Sequence, residues 1–226
     1  VHQHLTFKRI RLALGDGLKS IEEGESGWLK VGLSSGRSVD TEMVILSIGV
    51  RPDNALAKEA GLELGLRGTI VTNEHMQTSD PDIYAVGDAV EVKSRVTNQE
   101  TTLALAGPAS REGRVAADHI SGKKPAIFKG VVGTSVVKVF DLTVAAVGLN
   151  ANALNQAGIP FQDVIVHVSN HAGYYPGAVP LTLKLLFGEK GQIYGAQAVG
   201  IDGVDQRIDV IATAMQSGKT VSDMED

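Results

Sequence analysis

TIVTNEHMQTSDPDIYAVGDAV, residues 69–90, is the stretch around which the rest of the chain is read. It opens on a β-branched run, Thr69, Ile70 and Val71, and passes through a polar, turn-rich segment to Ser79, Asp80, Pro81 and Asp82. A second apolar run, Ile83, Tyr84, Ala85 and Val86, stops at Gly87 and Asp88. An apolar run of this length between turn signals is the pattern of a buried strand. A glycine at its end lets the backbone approach another group closely. A carboxylate just beyond it lies where open α/β sheets bind their ligands. The plainer alternative is a simple turn, since Gly and Asp both favour turns.

The 226 residues suffice for a sizeable core and for one or two domains. Apolar residues make up 43% and charged residues 21%, the balance of an ordinary globular chain. The net charge is −5 and no Lys/Arg-rich run is present, which argues against nucleic acid or an anionic membrane as partner. No apolar stretch approaches the ~20 residues of a membrane span, and the N-terminus has no signal-peptide pattern. The chain has no cysteine, which excludes disulfides, thiolate metal sites and cysteine catalysis within these residues. A cytoplasmic location is expected. His2 with His4, and His167 with His171, lack a third ligand on a common face, so no metal site is expected.

Taken in order, residues 1–5 read as the end of a helix. Residues 10–14, 17–23 and 28–33 read as strands of an antiparallel meander broken by Gly-rich turns. Residues 43–48, MVILSI, form a continuous apolar run suited to a strand buried on both faces. Asp53 is placed to cap a short helix over residues 54–60, closed by Gly61. Residues 101–120 read as a helix with Leu105, Ala109, Gly113, Ala116 and Ile120 on one face. Pro108 suits its first turn. Residues 121–125, SGKKP, mark a domain boundary. Beyond them, residues 135–140, 143–147, 163–169, 181–187 and 192–199 are strand-like, and helices are expected at residues 150–156 and 204–217. An antiparallel sheet with helices on one side is α+β.

Five segments together resemble the flavoprotein pyridine nucleotide–disulfide oxidoreductases: TSDPDIYAVGDA (78–89), VILSIGVRPDN (44–54), LAGPASREGRVAA (105–117), GTSVVKVFDLTVAAVGLN (133–150) and NHAGYYPGA (170–178). The last two are similar to the coenzyme A-disulfide and CoA-persulfide reductase branch. The resemblance implies α/β and α+β architecture. Remnants of the NAD and FAD domains of a two-dinucleotide-binding-domain flavoprotein would be followed by an α+β antiparallel-sheet dimerisation domain. The divisions it implies are 1–66 for part of the NAD(P) domain, 67–124 for part of the FAD domain and 125–226 for the interface domain.

By the same resemblance, Gly87 and Asp88 contact FAD, the Leu105 and Ala106 backbone meets the flavin at a helix N-terminus, and Ile48 and Gly49 line the nicotinamide cofactor. Tyr174 or Tyr175 would reach a partner subunit's active site and assist a departing thiolate. Each of these assignments has a plainer counterpart: a strand-to-helix loop, a packing helix, or tyrosines buried for area. The family's GxGxxG segments and redox cysteine do not occur in these residues. The expectation is therefore a C-terminal portion of a homodimeric FAD- and NAD(P)H-dependent disulfide reductase acting on CoA disulfide, persulfide or polysulfide through a cysteine outside this chain. The portion alone is expected to hold neither cofactor stably, and whether it is itself an enzyme stays open. The alternatives are an NADH oxidase or peroxidase of the same superfamily, and a non-catalytic dimerisation or interaction module.

Overall fold

The computed structural model describes residues 1–122 and 127–225. The expected boundary at residues 121–125 lies largely outside the described residues. The chain divides into two compact units, Val1–Val50 and Arg51–Asp226.

The first unit opens with α1 (His2–Phe7) and centres on a meander. β1 (Leu18–Glu23), β2 (Leu29–Leu33) and β3 (Ser38–Thr41) pair antiparallel in that order, as the alternating pattern requires. The turn between β2 and β3 is tied to the turn before β1. Asp16 accepts hydrogen bonds from Ser35 N–H at 2.9 Å, from the Ser35 hydroxyl at 2.7 Å and from Arg37 at 2.7 Å.

Two expected strands of this unit do not form. Residues 10–14 are irregular. Residues 43–48 are also irregular and stand in solvent, Ile45 being 82% and Ile48 80% exposed. Apolar side chains alone do not make a strand; a ladder of a neighbour's N–H and C=O groups completes it. Among the described residues no segment pairs with residues 43–48.

The second unit holds two cores. The smaller gathers Met76, Val90, Val92 and Val131 against Val115 and Ala116 of α3 (Ala106–Ile120). It begins with α2 (Ala55–Glu59), whose N-cap is Asn54 rather than Asp53. The Asn54 side-chain amide donates to the Gly68 carbonyl at 2.6 Å. A short ribbon pairs β4 (Val92–Lys93) with β5 (Glu100–Thr101).

The run at residues 83–86 is not a strand either. Tyr84 makes a single bridge to Gln77, Ala85 N–H donates to Met76 C=O at 3.1 Å, and Ile83 and Val86 remain exposed. The helical face also differs from the expected one. Pro108, Glu112, Val115 and Ala116 are buried, whereas Ile120 is exposed. The core cluster takes Val115 and Ala116, so of the expected face Ala116 is buried, Leu105, Ala109 and Gly113 are half-buried and Ile120 is exposed.

The larger core is built as its periodicities require. β6 (Thr134–Val139), β7 (Leu142–Gly148), β8 (Gln162–Ser169), β9 (Pro180–Phe187) and β10 (Ile193–Gly200) form one antiparallel sheet in the order β6-β7-β10-β9-β8. Leu181 and Leu185 of β9 are buried, with Leu183 and Phe187 packed against the same cluster. α5 (Val204–Gln216) lays Val204, Ile208, Ile211 and Ala212 on this sheet. α4 (Ala151–Gln156) is capped by Asn150, whose side chain accepts from Ala153 N–H at 2.9 Å. β8 closes one edge of the sheet with every residue exposed, including Val164, Ile165, Val166 and Val168.

Candidate cofactor cleft and tyrosine loop

Gly87 and Asp88 sit in a turn closed by Val90 N–H donating to Gly87 C=O at 3.1 Å. The turn reading is therefore correct, and the turn also presents a carboxylate, because Asp88 is exposed. Gly87 has φ +87°, a left-handed conformation that favours glycine. Its N–H donates to Glu112 Oε2 at 2.7 Å, which ties the turn to α3. Sequence reasoning missed Glu112, since an acidic residue on a helix ordinarily faces water. Here it is 1% exposed, and burial raises its carboxyl above the ordinary glutamate range. The Gly87 N–H opposes that shift by favouring the charged form, as does Arg111, whereas the nearby Asp88 charge adds to it.

The N-terminus of α3 opens on a cleft of about 550 Å³. Leu105, Ala106, Gly107, Pro108 and Arg111 line one wall, and residues 131–136 with Gln216 line the rest. The helix begins at Ala106, a half-turn before the position that Pro108 alone would set, and Leu105 is its extended N-cap residue. No side chain caps this end and its first turn carries no acidic residue. Unpaired N–H groups and the positive end of the helix dipole therefore face the cleft, beside a guanidinium. This arrangement can stabilise negative charge.

The structure thus gathers four of the expected residues at one helix, two at its N-terminus and two on a turn tied to it. Leu105 and Ala106 line the cleft, and Gly87 and Asp88 are held beside the next turns. A Cβ placed on Gly87 would meet only Ala109, at 3.9 Å. Ile48 and Gly49 lie in the first unit, both exposed, with Gly49 at φ +94° and its backbone open to solvent. Tyr174 and Tyr175 lie on the loop between β8 and β9. Among the described residues they make no hydrogen bond or ring contact to the other four. Tyr175 packs edge-on against His171 with ring centroids 5.7 Å apart, and Tyr174 is 91% exposed. The base of this loop is firm. Asn170 accepts from Val179 N–H at 2.9 Å and donates to Asp202 at 2.8 Å, while Arg207 donates to its carbonyl. Among the described residues, no group of three His, Asp or Glu side chains is placed to hold a metal ion.

Comparison with known proteins identifies this arrangement. Residues 1–113 match the family described as pyridine nucleotide-disulphide oxidoreductase, and residues 134–226 match the dimerisation domain of the same family. The chain belongs to the pyridine nucleotide-disulphide oxidoreductase family. Within it, the chain is 37% identical over 215 residues to an NADH oxidase of Methanocaldococcus jannaschii, covering 95% of this chain and 47% of that protein. It is 36% identical over 196 residues to a coenzyme A disulfide reductase of Staphylococcus epidermidis, covering 86% and 44% respectively.

Family members of known structure superimpose closely. The crystal structure of reduced Bacillus anthracis CoADR-RHD has a TM-score of 0.94 at 52% identity, over 98% of this chain and 40% of that one. A NAD-dependent persulfide reductase from A. fulgidus has a TM-score of 0.93 at 34% identity, over 98% and 41%. The chain spans about half the length of the curated relatives that it matches. The mixed architecture expected from the sequence, with an antiparallel dimerisation domain at its end, is the architecture of this family.

Proposed function

We propose that the chain is the C-terminal portion of an FAD- and NAD(P)H-dependent disulfide reductase that reduces CoA disulfide, CoA persulfide or polysulfide through a cysteine outside these residues. The observation that carries this reading is the uncapped α3 N-terminus lining a cleft, with the Gly87–Asp88 turn fastened to the same helix. In the proposed division, residues 1–66 contribute to the NAD(P) domain, 67–124 to the FAD domain and 125–226 to the interface domain.

The residues present fit part of a flavin nucleotide. Ala106 and Gly107 offer N–H donors and positive potential, which suit the electron-rich edge of a flavin ring, and Leu105, whose own N–H donates to Leu103 C=O at 3.0 Å, lines the same wall. The exposed Asp88 carboxylate suits the hydroxyls of the nucleotide, and Gly87 keeps that approach open. When bound, FAD would supply the capacity to accept a hydride from the nicotinamide and pass electrons on to sulfur. Ile48 and Gly49 would line the nicotinamide through their backbone. Tyr174 or Tyr175 would donate a hydrogen bond or proton to a departing thiolate in a partner subunit. The homodimer would form through the C-terminal domain, whose family match is named for dimerisation. The β8 edge, exposed along its length with Val164, Ile165, Val166 and Val168 on it, supports such a contact.

An NADH oxidase is the second reading, supported by the M. jannaschii relative. The tyrosine pair on a firmly based loop favours the disulfide reductase. The deciding experiment expresses the full open reading frame that contains this chain. It records the flavin absorbance and follows NAD(P)H consumption with CoA disulfide and with oxygen. Flavin-dependent consumption driven by CoA disulfide is expected. Consumption that follows oxygen and ignores CoA disulfide would establish the oxidase, and a colourless, inactive dimer would establish a non-catalytic module.

A further inference from the structure

Glu112 has no place in the reading above, yet it is among the largest fully buried side chains of the chain. It comes from the second turn of α3, the helix whose N-terminus lines the cleft. Its Oε2 accepts the Gly87 N–H at 2.7 Å. Gly87 sits at φ +87°, a Cβ there would meet only Ala109 at 3.9 Å, and its carbonyl accepts from Val90 N–H at 3.1 Å within the turn. The next residue, Asp88, is the exposed carboxylate. Among the described residues, the charges of Arg111 on its own helix and Asp88 on the facing turn bear on Glu112.

A buried backbone N–H needs an acceptor that apolar packing cannot supply, and a carboxylate is a strong one. The donor here is a single backbone N–H at the residue that aims the motif's aspartate. We propose that Glu112 is the positioning residue of the cofactor cleft: its carboxylate holds the Gly87 peptide and so sets where Asp88 is presented to the hydroxyls of a nucleotide ligand. The proposal rests on the reading of Asp88 as a nucleotide contact. It adds a linkage: the charge carried by Glu112, set against Arg111 and Asp88, is transmitted to the turn through one hydrogen bond. Burial raises the Glu112 carboxyl, so this charge is lost at a higher pH than for a solvated glutamate.

The test follows the Gly87 amide by nitrogen–proton correlation spectra of the 226-residue chain across pH, beside Glu112→Gln and Glu112→Ala. In the wild type the Gly87 resonance should titrate with a midpoint above the ordinary glutamate value. Glu112→Gln keeps an acceptor but no charge; it should abolish the titration and leave the Gly87 amide protected from hydrogen exchange. Glu112→Ala should speed exchange at Gly87 by about tenfold or more. Where the alanine variant does not fold, the wild-type and glutamine titrations decide. A Gly87 amide that titrates unchanged in Glu112→Gln, or exchanges equally in all three, would overturn the proposal.

In the full-length protein, FAD affinity should fall about tenfold in Glu112→Ala and be rescued in Glu112→Gln. Equal affinity in all three overturns the positioning role. A wild type that binds no FAD while its Gly87 amide follows Glu112 overturns the cofactor reading and leaves the linkage standing.

Discussion

The Asn170 side-chain amide donates to the Asp202 carboxylate at 2.8 Å, joining the end of β8 to the turn that precedes α5. The same side chain accepts from the N–H groups of Val179 at 2.9 Å and His171 at 3.1 Å. One residue thus closes both ends of the tyrosine loop, although the loop's tip is bare. At 8% exposure, Asn170 cannot hand these partners to water. Asn170→Ala should therefore cost about 2–3 kcal/mol, the penalty for leaving buried polar groups unpaired. It should also release the Val179 amide to exchange. Denaturant unfolding and hydrogen exchange measure the two effects. An unchanged Val179 amide would show that the loop is held by something else.

Acid should loosen the meander at one identifiable point. Hydrogen bonds from Arg37 and then Ser35 hold the Asp16 carboxyl down to about 2, against 3.8 for the free group. A depressed carboxyl stabilises the fold above its unfolded pKa and loses that contribution as pH falls through the folded one. The contribution of Asp16 is therefore complete above about 4 and gone near 2. Asp16→Asn should melt below the wild type at neutral pH, with the difference closing through that window. A gap that persists at the acid end would assign the effect to shape and not to charge.

Much of the fold was legible because it is local. The strand-like runs at residues 181–187 and 192–199 became β9 and β10, and the helices expected at residues 150–156 and 204–217 became α4 and α5. Residues 43–48 and 83–86 have strand composition but lack strand geometry, because pairing depends on a neighbour that a local pattern cannot report. Gly87 and Asp88 were legible as a turn. Glu112 was not, since its burial depends on the core of Met76, Val90 and Val131 filling one side of α3 and leaving the other open. The same asymmetry misplaced the expected helical face onto Gly113 and Ile120.

Two glycines test that account of packing. Gly195 of β10 faces Gly148 of β7, and a Cβ on Gly195 would overlap the carbonyl and amide of Leu149. Gly195→Ala should destabilise by about 1–3 kcal/mol through overpacking. A Cβ on Gly113 within α3 would meet nothing within 4 Å. Gly113→Ala should stabilise by about 0.5–1 kcal/mol, the difference between the two residues in a helix interior. Thermal unfolding of both variants checks the pair. A destabilising Gly113→Ala would mean that another chain packs closely on that face of α3.

The two tyrosines differ enough to be told apart. Tyr175 is 66% exposed, packs edge-on against His171, and its backbone N–H donates to Ala172 C=O at 3.0 Å. Tyr174 is 91% exposed, and its phenol has no partner among the described residues. Ring packing restrains Tyr175 against its own loop, whereas Tyr174 has no such ring contact among the described residues. In the full-length enzyme, Tyr174→Phe should lower turnover of CoA disulfide by about 100-fold, the lower end of what a positioned proton donor contributes, with little change in stability. Tyr175→Phe keeps the ring contact with His171 and should alter turnover by less than about tenfold on the same scale. Under the proposed role, in which the phenol donates to a departing thiolate, the Tyr174→Phe defect should shrink for a disulfide whose thiol leaves easily at a lower pKa. Steady-state rates with CoA disulfide and with an activated aromatic disulfide measure that contrast. An equal loss with both substrates would assign Tyr174 to binding and not to proton donation.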